Sequence, residues 1–466
     1  MFLYRLRSID RLLGNSQELE RQEIYFASYD ELNDPLEGST DIFWHGDSII
    51  WKNFFCHYLL CLNHRFFMAQ LYEPDKCSEF FEKKIGVFIT EKNYLNNISE
   101  IGRKNWFEIK EQFFADEAIL KVIEYLSGRK TPIRMKALSY LIGLIQYKAI
   151  RIIISSYVEF GMTNFMNLLD SPILSKRNHE NTQKCIDSLG TVSEDKIEVL
   201  FEISDKLQNE FILCSETMHG KHSKNGINLV YFLLDFPKEY FQQIRTLIHS
   251  EFYTACFASL PKQTIMWSHY AGKHTGACLI FKTNKFTDGK SYIELTNLSN
   301  GLIVEKIDYS GKKISIDFFR SLFNLPIPTL TKEWYFDEKN ESSCYKDVFH
   351  DFEKTRTEYW EKIHKIHTTK KSAWSYENEY RVVLNDMLGQ YIESHRRCLK
   401  YDFGSLDGII FGIKTSNDKK AEIIRIIYEK CKENNRTDFK FYQAKYDEKI
   451  EEIVYDELKN IRFKFK

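Results

Sequence analysis

An α+β fold is predicted by three features of this sequence: a central mixed or antiparallel sheet core formed by the N-terminal and C-terminal segments, with a large helical insertion between them. Strand-like runs cluster before residue 30 and return after residue 250. Apolar residues recur at helical spacing from residue 49 to about 170. Aromatic residues are abundant, with 36 Phe and 27 Tyr, while Gly and Pro are scarce, which favours long helices and packed strands over a loop-rich scaffold. A chain of 466 residues exceeds one ordinary core. The expected division is therefore 1–48 and 251–466 as two parts of the core, and 49–250 as the insertion.

In chain order, residues 2–8 read as a strand and 9–20 as a short helix or turn. Residues 23–29 read as a second strand, broken by Asn33-Asp34-Pro35, since Asn and Asp favour turns and Pro stops pairing. The strongest helix formers lie at 108–126 and 134–157; residues 171–191 are polar and read as a loop, and 192–211 as a further helix. Strand character returns at 252–260, 276–283 and 301–309. Residues 318–368 are helical at both ends around a polar middle. Residues 379–384, 406–411 and 439–443 read as strands, and 418–432 as a helix. No internal repeat or low-complexity segment is visible.

The net charge of -1 supplies no global field to recruit nucleic acid or an acidic membrane. The ten cysteines are scattered without a CxxC pair, and residues 1–10 carry charge and lack a signal-peptide pattern. A cytoplasmic setting is the expectation. The most membrane-like stretch, 137–154, contains Gln146, Lys148 and Arg151 and reads as a buried helix with a polar stripe, so no membrane partner is expected.

Several clusters carry possible chemistry. His57, Cys61 and His64 fall on one helical face beside Cys56 and have the residue types of a zinc site. They sit in an aromatic helix, so core packing is the preferred reading and no metal is expected. His364 and His367 read as solvated surface. The loop 219–226 (HGKHSKNG) is basic and can meet a phosphate, although a plain surface loop is the commoner case. In the segment 26–38, Asn33 and Asp34 read as caps of a turn, with Pro35 starting a helix; Ser28 and Glu37 lie close to the same turn. Ser259, Trp267, His269 and Tyr270 can form one wall of a pocket, with apolar bodies and polar tips suited to a ligand. Core packing is the competing reading for Trp267. In Trp374-Ser375-Tyr376-Glu377-Asn378-Glu379-Tyr380-Arg381, alternate residues place Glu377, Glu379 and Arg381 on one face. Buried together they make a charge network in which one carboxylate is held ready for catalysis; an edge-strand ion pair is the bland alternative.

Tyr4-Arg5, the turn 32–38 (LNDPLEG), the block 257–281 and the block 374–383, followed by a strand–Gly–helix–strand tail over 409–442, resemble the bacterial family called domain of unknown function 2971. The resemblance covers residues 1–38 and 252–444, and leaves the helical stretch undescribed. A second resemblance is to ADP-ribosyltransferases, which place an Arg or His on the first core strand, a Ser, Thr or Tyr on the second, and a Glu, often within Glu-x-Glu, on a later one. Arg5, Ser28 and Glu377-Asn378-Glu379 occur in that order. That resemblance implies NAD as substrate, Glu379 as the carboxylate facing the cationic ribose, Glu377 as the group that activates an acceptor, Arg5 on phosphate or ribose, and Ser28 towards the nicotinamide. Tyr4, Asn33, Asp34, Glu37, Ser259, Trp267, His269, Tyr270, Trp374 and Arg381 would line the ligand site. The acceptor, protein or nucleic acid, stays open. Two rival classes are a non-catalytic nucleotide-sensing or protein-interaction module, with a stress-response or phage-defence role and an oligomer surface on the insertion, and a metal-dependent nuclease using Asp30, Asp34, Glu37, Glu377 and Glu379.

Overall fold

The computed structural model describes residues 1–71, 80, 81, 83–163, 166–169, 183–189, 191, 194–219, 229–296, 298, 301–387 and 389–465. The strands, in chain order, are β1 (Phe2–Arg7), β2 (Glu23–Tyr25), β3 (Asp41–Trp44), β4 (Ile133–Arg134), β5 (Glu251–Ala258), β6 (Ala277–Lys282), β7 (Asn284–Lys285), β8 (Ser291–Ile293), β9 (Leu302–Lys306), β10 (Ser315–Asp317), β11 (Glu379–Asp386), β12 (Cys398–Lys400), β13 (Leu406–Phe411), β14 (Lys440–Asp447) and β15 (Glu452–Glu457). Two compact units result. The first comprises Met1–Ser39, Ser250–Ile314 and Lys362–Lys466; the second comprises Thr40–His249 and Ser315–Glu361. Sheets and helices are both extensive, and the fold is mixed α and β.

The first unit is built on one sheet. Among the described residues it has ten strands, in the order β15-β14-β13-β6-β1-β5-β11-β9-β8-β7. N-terminal β1 lies in its middle, between β6 and β5, so the sheet closes only when both ends of the chain meet. Pairing is antiparallel except between β13 and β14, which are joined by the helix Asn417–Glu433 as parallel neighbours require. One face packs Leu3, Phe257, Leu279, Phe281, Val382 and Ile409 against Ile423, Ile427 and Cys431 of that helix. The other packs Tyr4, Leu6, Ala258, Cys278 and Ile280 against Met266 and Trp267. Each fully buried large apolar side chain here stabilises by roughly 1.5–3 kcal/mol.

Gly276, just before β6, shows how tightly the chain enters this sheet. A Cβ there would lie 2.1 Å from the Arg7 carbonyl oxygen and 2.9 Å from that of Ala271. Both are backbone atoms, and neither yields cheaply. Gly276→Ala is expected to cost at least about 1–3 kcal/mol through overpacking, read as a lowered midpoint of thermal unfolding. An unchanged midpoint would show that β1 and β6 are looser than this contact implies.

The second unit surrounds the helix Ser48–Leu71. Ile50, Trp51, Phe54, Phe55, Tyr58, Leu59, Leu62 and Phe66 are buried around its circumference, the pattern of a helix enclosed on all sides. The helix Met135–Glu159 is long and apolar enough to cross a membrane, with most of that apolar window packed inside the protein. Its polar stripe is satisfied internally. Gln146 accepts from the Tyr58 hydroxyl at 2.7 Å and donates to the Phe232 carbonyl, and Lys148 pairs with Asp116 at 2.9 Å.

Several sequence expectations need correction. Residues 41–44 and 315–361 sit in the second unit rather than the core: β10 pairs with β3 in parallel, and Trp44 packs on Phe318. The strand expected over 23–29 ends at Tyr25, beyond which Ala27 makes an isolated bridge to Thr254. Pro35 opens no helix; residues 35–38 form a turn. Residues 318–351 are mostly short 3₁₀ and π turns before the helix Phe352–Thr368. β3, β4, β7, β8, β10, β12 and β15 were not anticipated, all but the last because they are only two to four residues long.

Candidate functional site

The site lies in the first unit, where the sheet is locally split. β1 pairs with β6 along its whole length but meets β5 at a single position, Tyr4 opposite Ala258. Beyond that point the edge of β5 is taken by Ala27, which exchanges both backbone hydrogen bonds with Thr254, at 2.9 and 2.8 Å. The gap so created opens into a cavity of about 640 Å³, within the range of small-molecule sites. Its lining comes from β1, β5, the turn around residues 31–37, the helix Thr264–Tyr270 and the segment 370–379.

A cluster of buried acids lines this cavity and is held by two cations. Lys370 Nζ lies 2.7 Å from Glu377 Oε2, 3.1 Å from Glu379 Oε2 and 3.6 Å from Glu37 Oε2. Arg381 donates from Nε to Glu379 Oε1 at 2.6 Å and from Nη2 to Glu379 Oε2 at 3.0 Å. The same guanidinium forms an ion pair with Glu37 and donates to the His367 carbonyl. Tyr270 donates to Glu377 Oε1 at 2.6 Å, and the Glu379 amide donates to the Tyr309 hydroxyl at 2.7 Å. All five ionised side chains are at most 4% exposed. Three carboxylates thus share two cations in a dry setting.

The local backbone explains how they meet. Glu377 ends the 3₁₀ segment Ser372–Glu377, and Asn378 takes a left-handed conformation (φ 42°), which Asn tolerates better than most residues. Only then does β11 begin. Glu377 and Glu379 therefore point into one site across a turn, not along one strand as their spacing suggested. β11 is also an interior strand, between β5 and β9, so the edge-strand alternative falls.

Burial dominates the electrostatics. It pushes the Glu379 carboxyl up to about 7, against the pull of Lys370. Burial lowers Lys370, but Glu379 and Glu377 outweigh it and hold the ammonium charged. Burial draws Arg381 down to about 10 and Arg5 to about 9, both still cationic at neutral pH. The Cys256 thiol is pushed well up by burial and then by Glu379, so it serves as a donor and not a nucleophile.

Arginines line the same cavity. Arg5 spans the split, donating to the Cys256 carbonyl at 3.4 Å and the Tyr25 carbonyl at 3.0 Å, with its guanidinium over the Phe257 ring. Its Nε is buried and finds no hydrogen-bond partner among the described residues. Arg7, paired with Glu18 at 2.8 Å, and exposed Arg11 also line the cavity.

The expected site residues divide accordingly. Tyr4, Arg5, Asn33, Glu37, His269, Tyr270, Glu377 and Glu379 line the cavity. Arg381 stands behind Glu379, and Trp374 covers Lys370 with its ring centroid 4.8 Å from Nζ. Ser28 is not in the lining; it caps the turn Tyr29–Glu31, with its amide on Glu31 at 2.8 Å. Asp34 caps Leu36, and Ser259 makes a backbone contact to Asn378. Trp267 is completely buried, donating to the Pro261 carbonyl, which is the packing reading. His57 uses both ring nitrogens, on Tyr240 and the Val87 carbonyl, and His64 packs edge-on to Tyr94, as core histidines do. Among the described residues no group of three or more His, Cys, Asp or Glu is arranged to hold a metal. His367, read as surface, is buried between Tyr29 and Phe252, because it extends the buried stripe of Ile363 and Ile366. The basic loop 219–226 lies outside the described residues except at its first position. Reasoning from sequence missed Lys370, Arg11 and Tyr309, none of which belongs to a recognisable spacing.

Residues 266–382 match the family model described as Protein of unknown function (DUF2971). The match takes in Tyr270, Lys370, Glu377, Glu379 and Arg381; β1 and the turn carrying Glu37 lie outside it. No curated protein and no solved structure matches the chain.

Proposed function

We propose that this chain, whose residues 266–382 are of the DUF2971 kind, cleaves NAD and transfers ADP-ribose to an acceptor. The observation that carries the reading is the mixed lining of one cavity, with buried Glu377 and Glu379 together with Arg5, Arg7 and Arg11. A dinucleotide suits that lining, with a diphosphate for the arginines and a ribose that becomes cationic when its bond to nicotinamide breaks. In this step the C1′–N bond breaks and its electron pair leaves with neutral nicotinamide. The acceptor oxygen then bonds to C1′, and its proton passes to a carboxylate. Ionised Glu379 stabilises the ribose cation. Glu377, held by Tyr270 and Lys370, takes the proton.

A second reading is favoured by one specific feature. Both oxygens of Glu379 are already engaged by Arg381 and Lys370, as suits a site that binds a nucleotide without turnover. The nuclease reading loses support, because Lys370 already stands among the three carboxylates where a metal ion would have to sit.

The test is NAD consumption by purified protein with metal chelated, with and without cell lysate. Because Glu379 must be ionised, and burial raises its carboxyl to about 7, kcat/KM should fall as pH drops through that value, approaching about tenfold per pH unit below it. Consumption with a flat profile from about pH 5 to 8 would remove Glu379 from the chemistry. No consumption, with NAD still raising the melting temperature, would establish the sensing module instead.

A further inference from the structure

We propose that a second, smaller cavity of the first unit binds a phosphate group through Lys312, Lys313 and Lys371. This cavity, of about 210 Å³, is bounded by the turn carrying Asp34 and Glu37, the loop 311–314 and residues 369–371. It has room for a phosphate and adjoining sugar, and is much smaller than the cavity described above.

Its charge balance is one-sided. Lys312, Lys313 and Lys371 are all exposed; the nearest carboxylate acting on them is that of Asp308, lowered by its Ser310 hydrogen bonds and, to a smaller extent, by Lys312. The two acids in the lining are already committed: Asp34 accepts from the Leu36 amide at 3.0 Å, and Glu37 is paired with Lys370 and Arg381. The backbone brings the lysines together. Asp308 bridges Thr369 in parallel, and the Lys370 amide donates to the Asp308 carbonyl at 2.9 Å, so the loop after Asp308 runs beside Lys371. Gly311, with φ 66°, makes the bend that turns Lys312 and Lys313 into the cavity rim. Three flexible ammonium groups on a small concavity suit a phosphate as converging point charges. The net charge of the chain is only -1, so this local excess is not part of a general basic surface.

The site has a route to the larger one. Glu37 and Lys370 line both cavities and stand between them. An anion among the three lysines would thus lie next to the buried ion cluster around Lys370.

The assay is calorimetric binding at low salt, without NAD, so its outcome is independent of whether NAD is cleaved. The probes are 5′-AMP, a single-stranded pentanucleotide with a 5′-phosphate, the same strand without it, and a glutamate peptide of equal charge. The phosphorylated probes should bind, and Lys312→Ala/Lys313→Ala and Lys371→Ala should each weaken them at least about tenfold, with a shallower salt dependence. AMP binding as tightly as the phosphorylated strand identifies a free nucleotide; tighter binding of the strand identifies a nucleic-acid end. Unchanged affinity in these variants would overturn the proposal. So would equal binding of the unphosphorylated strand, or of the glutamate peptide, which would indicate an acidic protein partner.

Discussion

Glu379→Gln is expected to reduce NAD consumption by about 10²–10³-fold, the scale for losing one preorganised electrostatic contact to a transition state, with the fold retained. The side chain is 4% exposed and sits between Lys370 and Arg381, so the charge it supplies is little screened by water. Removing a buried ion-pair partner ordinarily leaves an uncompensated charge, which is costly. Here two features soften that cost. Gln reproduces the shape of the protonated acid, and burial keeps the native group close to its protonation midpoint at neutral pH. Glu37 and Glu377 also remain beside Lys370. The expected pattern is therefore a melting temperature close to that of the wild type, with turnover reduced about 10²–10³-fold. Thermal unfolding and NAD consumption measured on the same preparation separate the two effects. Turnover within about threefold of wild type, less than 1 kcal/mol at the barrier, would assign the chemistry elsewhere.

How far the sequence anticipated this site depends on which physical signal each residue carries. The split core was legible because period-two runs at both ends of the chain bracket a long helical pattern, and period is a strong local signal. The row of Glu377, Glu379 and Arg381 was legible from spacing, although the turn at Asn378 means that spacing led to the right face by a different geometry. Glu37 stood out only because it follows a crowded turn. Lys370 did not stand out, although it touches all three carboxylates. Its position depends on the parallel bridge between Asp308 and Thr369, a contact across about sixty residues that no local pattern encodes. Arg11 was missed for a related reason: it matters because β1 and β5 part after one pairing, and a strand that separates looks in sequence like one that does not. His367 was misread because a histidine on a charged helix looks solvated until the buried stripe containing Ile363 and Ile366 is traced through it. Ser28 shows the opposite failure. The order of Arg, Ser and Glu along the chain suggested a role for it, while its local position, three residues before Glu31, pointed to the capping box that it forms.

Arg381→Met should destabilise the protein by about 3–5 kcal/mol, the usual cost of taking one partner from a buried ion pair, which corresponds to about 6–20 °C in melting temperature. Arg381 is 1% exposed and holds Glu37, both oxygens of Glu379 and the His367 carbonyl. Met fills similar space but leaves three buried carboxylates to Lys370 alone. Two consequences distinguish this account from a simple packing defect. The first concerns pH. Without Arg381, the remaining carboxyls in the folded protein are pushed above their unfolded values, so the folded state binds more protons than the unfolded state between the two. Such groups favour folding at low pH and lose that contribution as pH rises through the folded value. The gap in stability between variant and wild type should accordingly narrow as pH falls from neutral towards about 5, whereas a cavity would leave it constant. The second concerns Glu37. Adding Glu37→Gln to Arg381→Met removes one of the stranded charges and should recover part of the loss, because deleting both partners of a buried pair costs less than deleting one. Arg381→Lys, which keeps the charge but not the forked contact to Glu379, should fall between wild type and Arg381→Met. A destabilisation that neither varies with pH nor responds to Glu37→Gln would mean that Arg381 acts through packing alone.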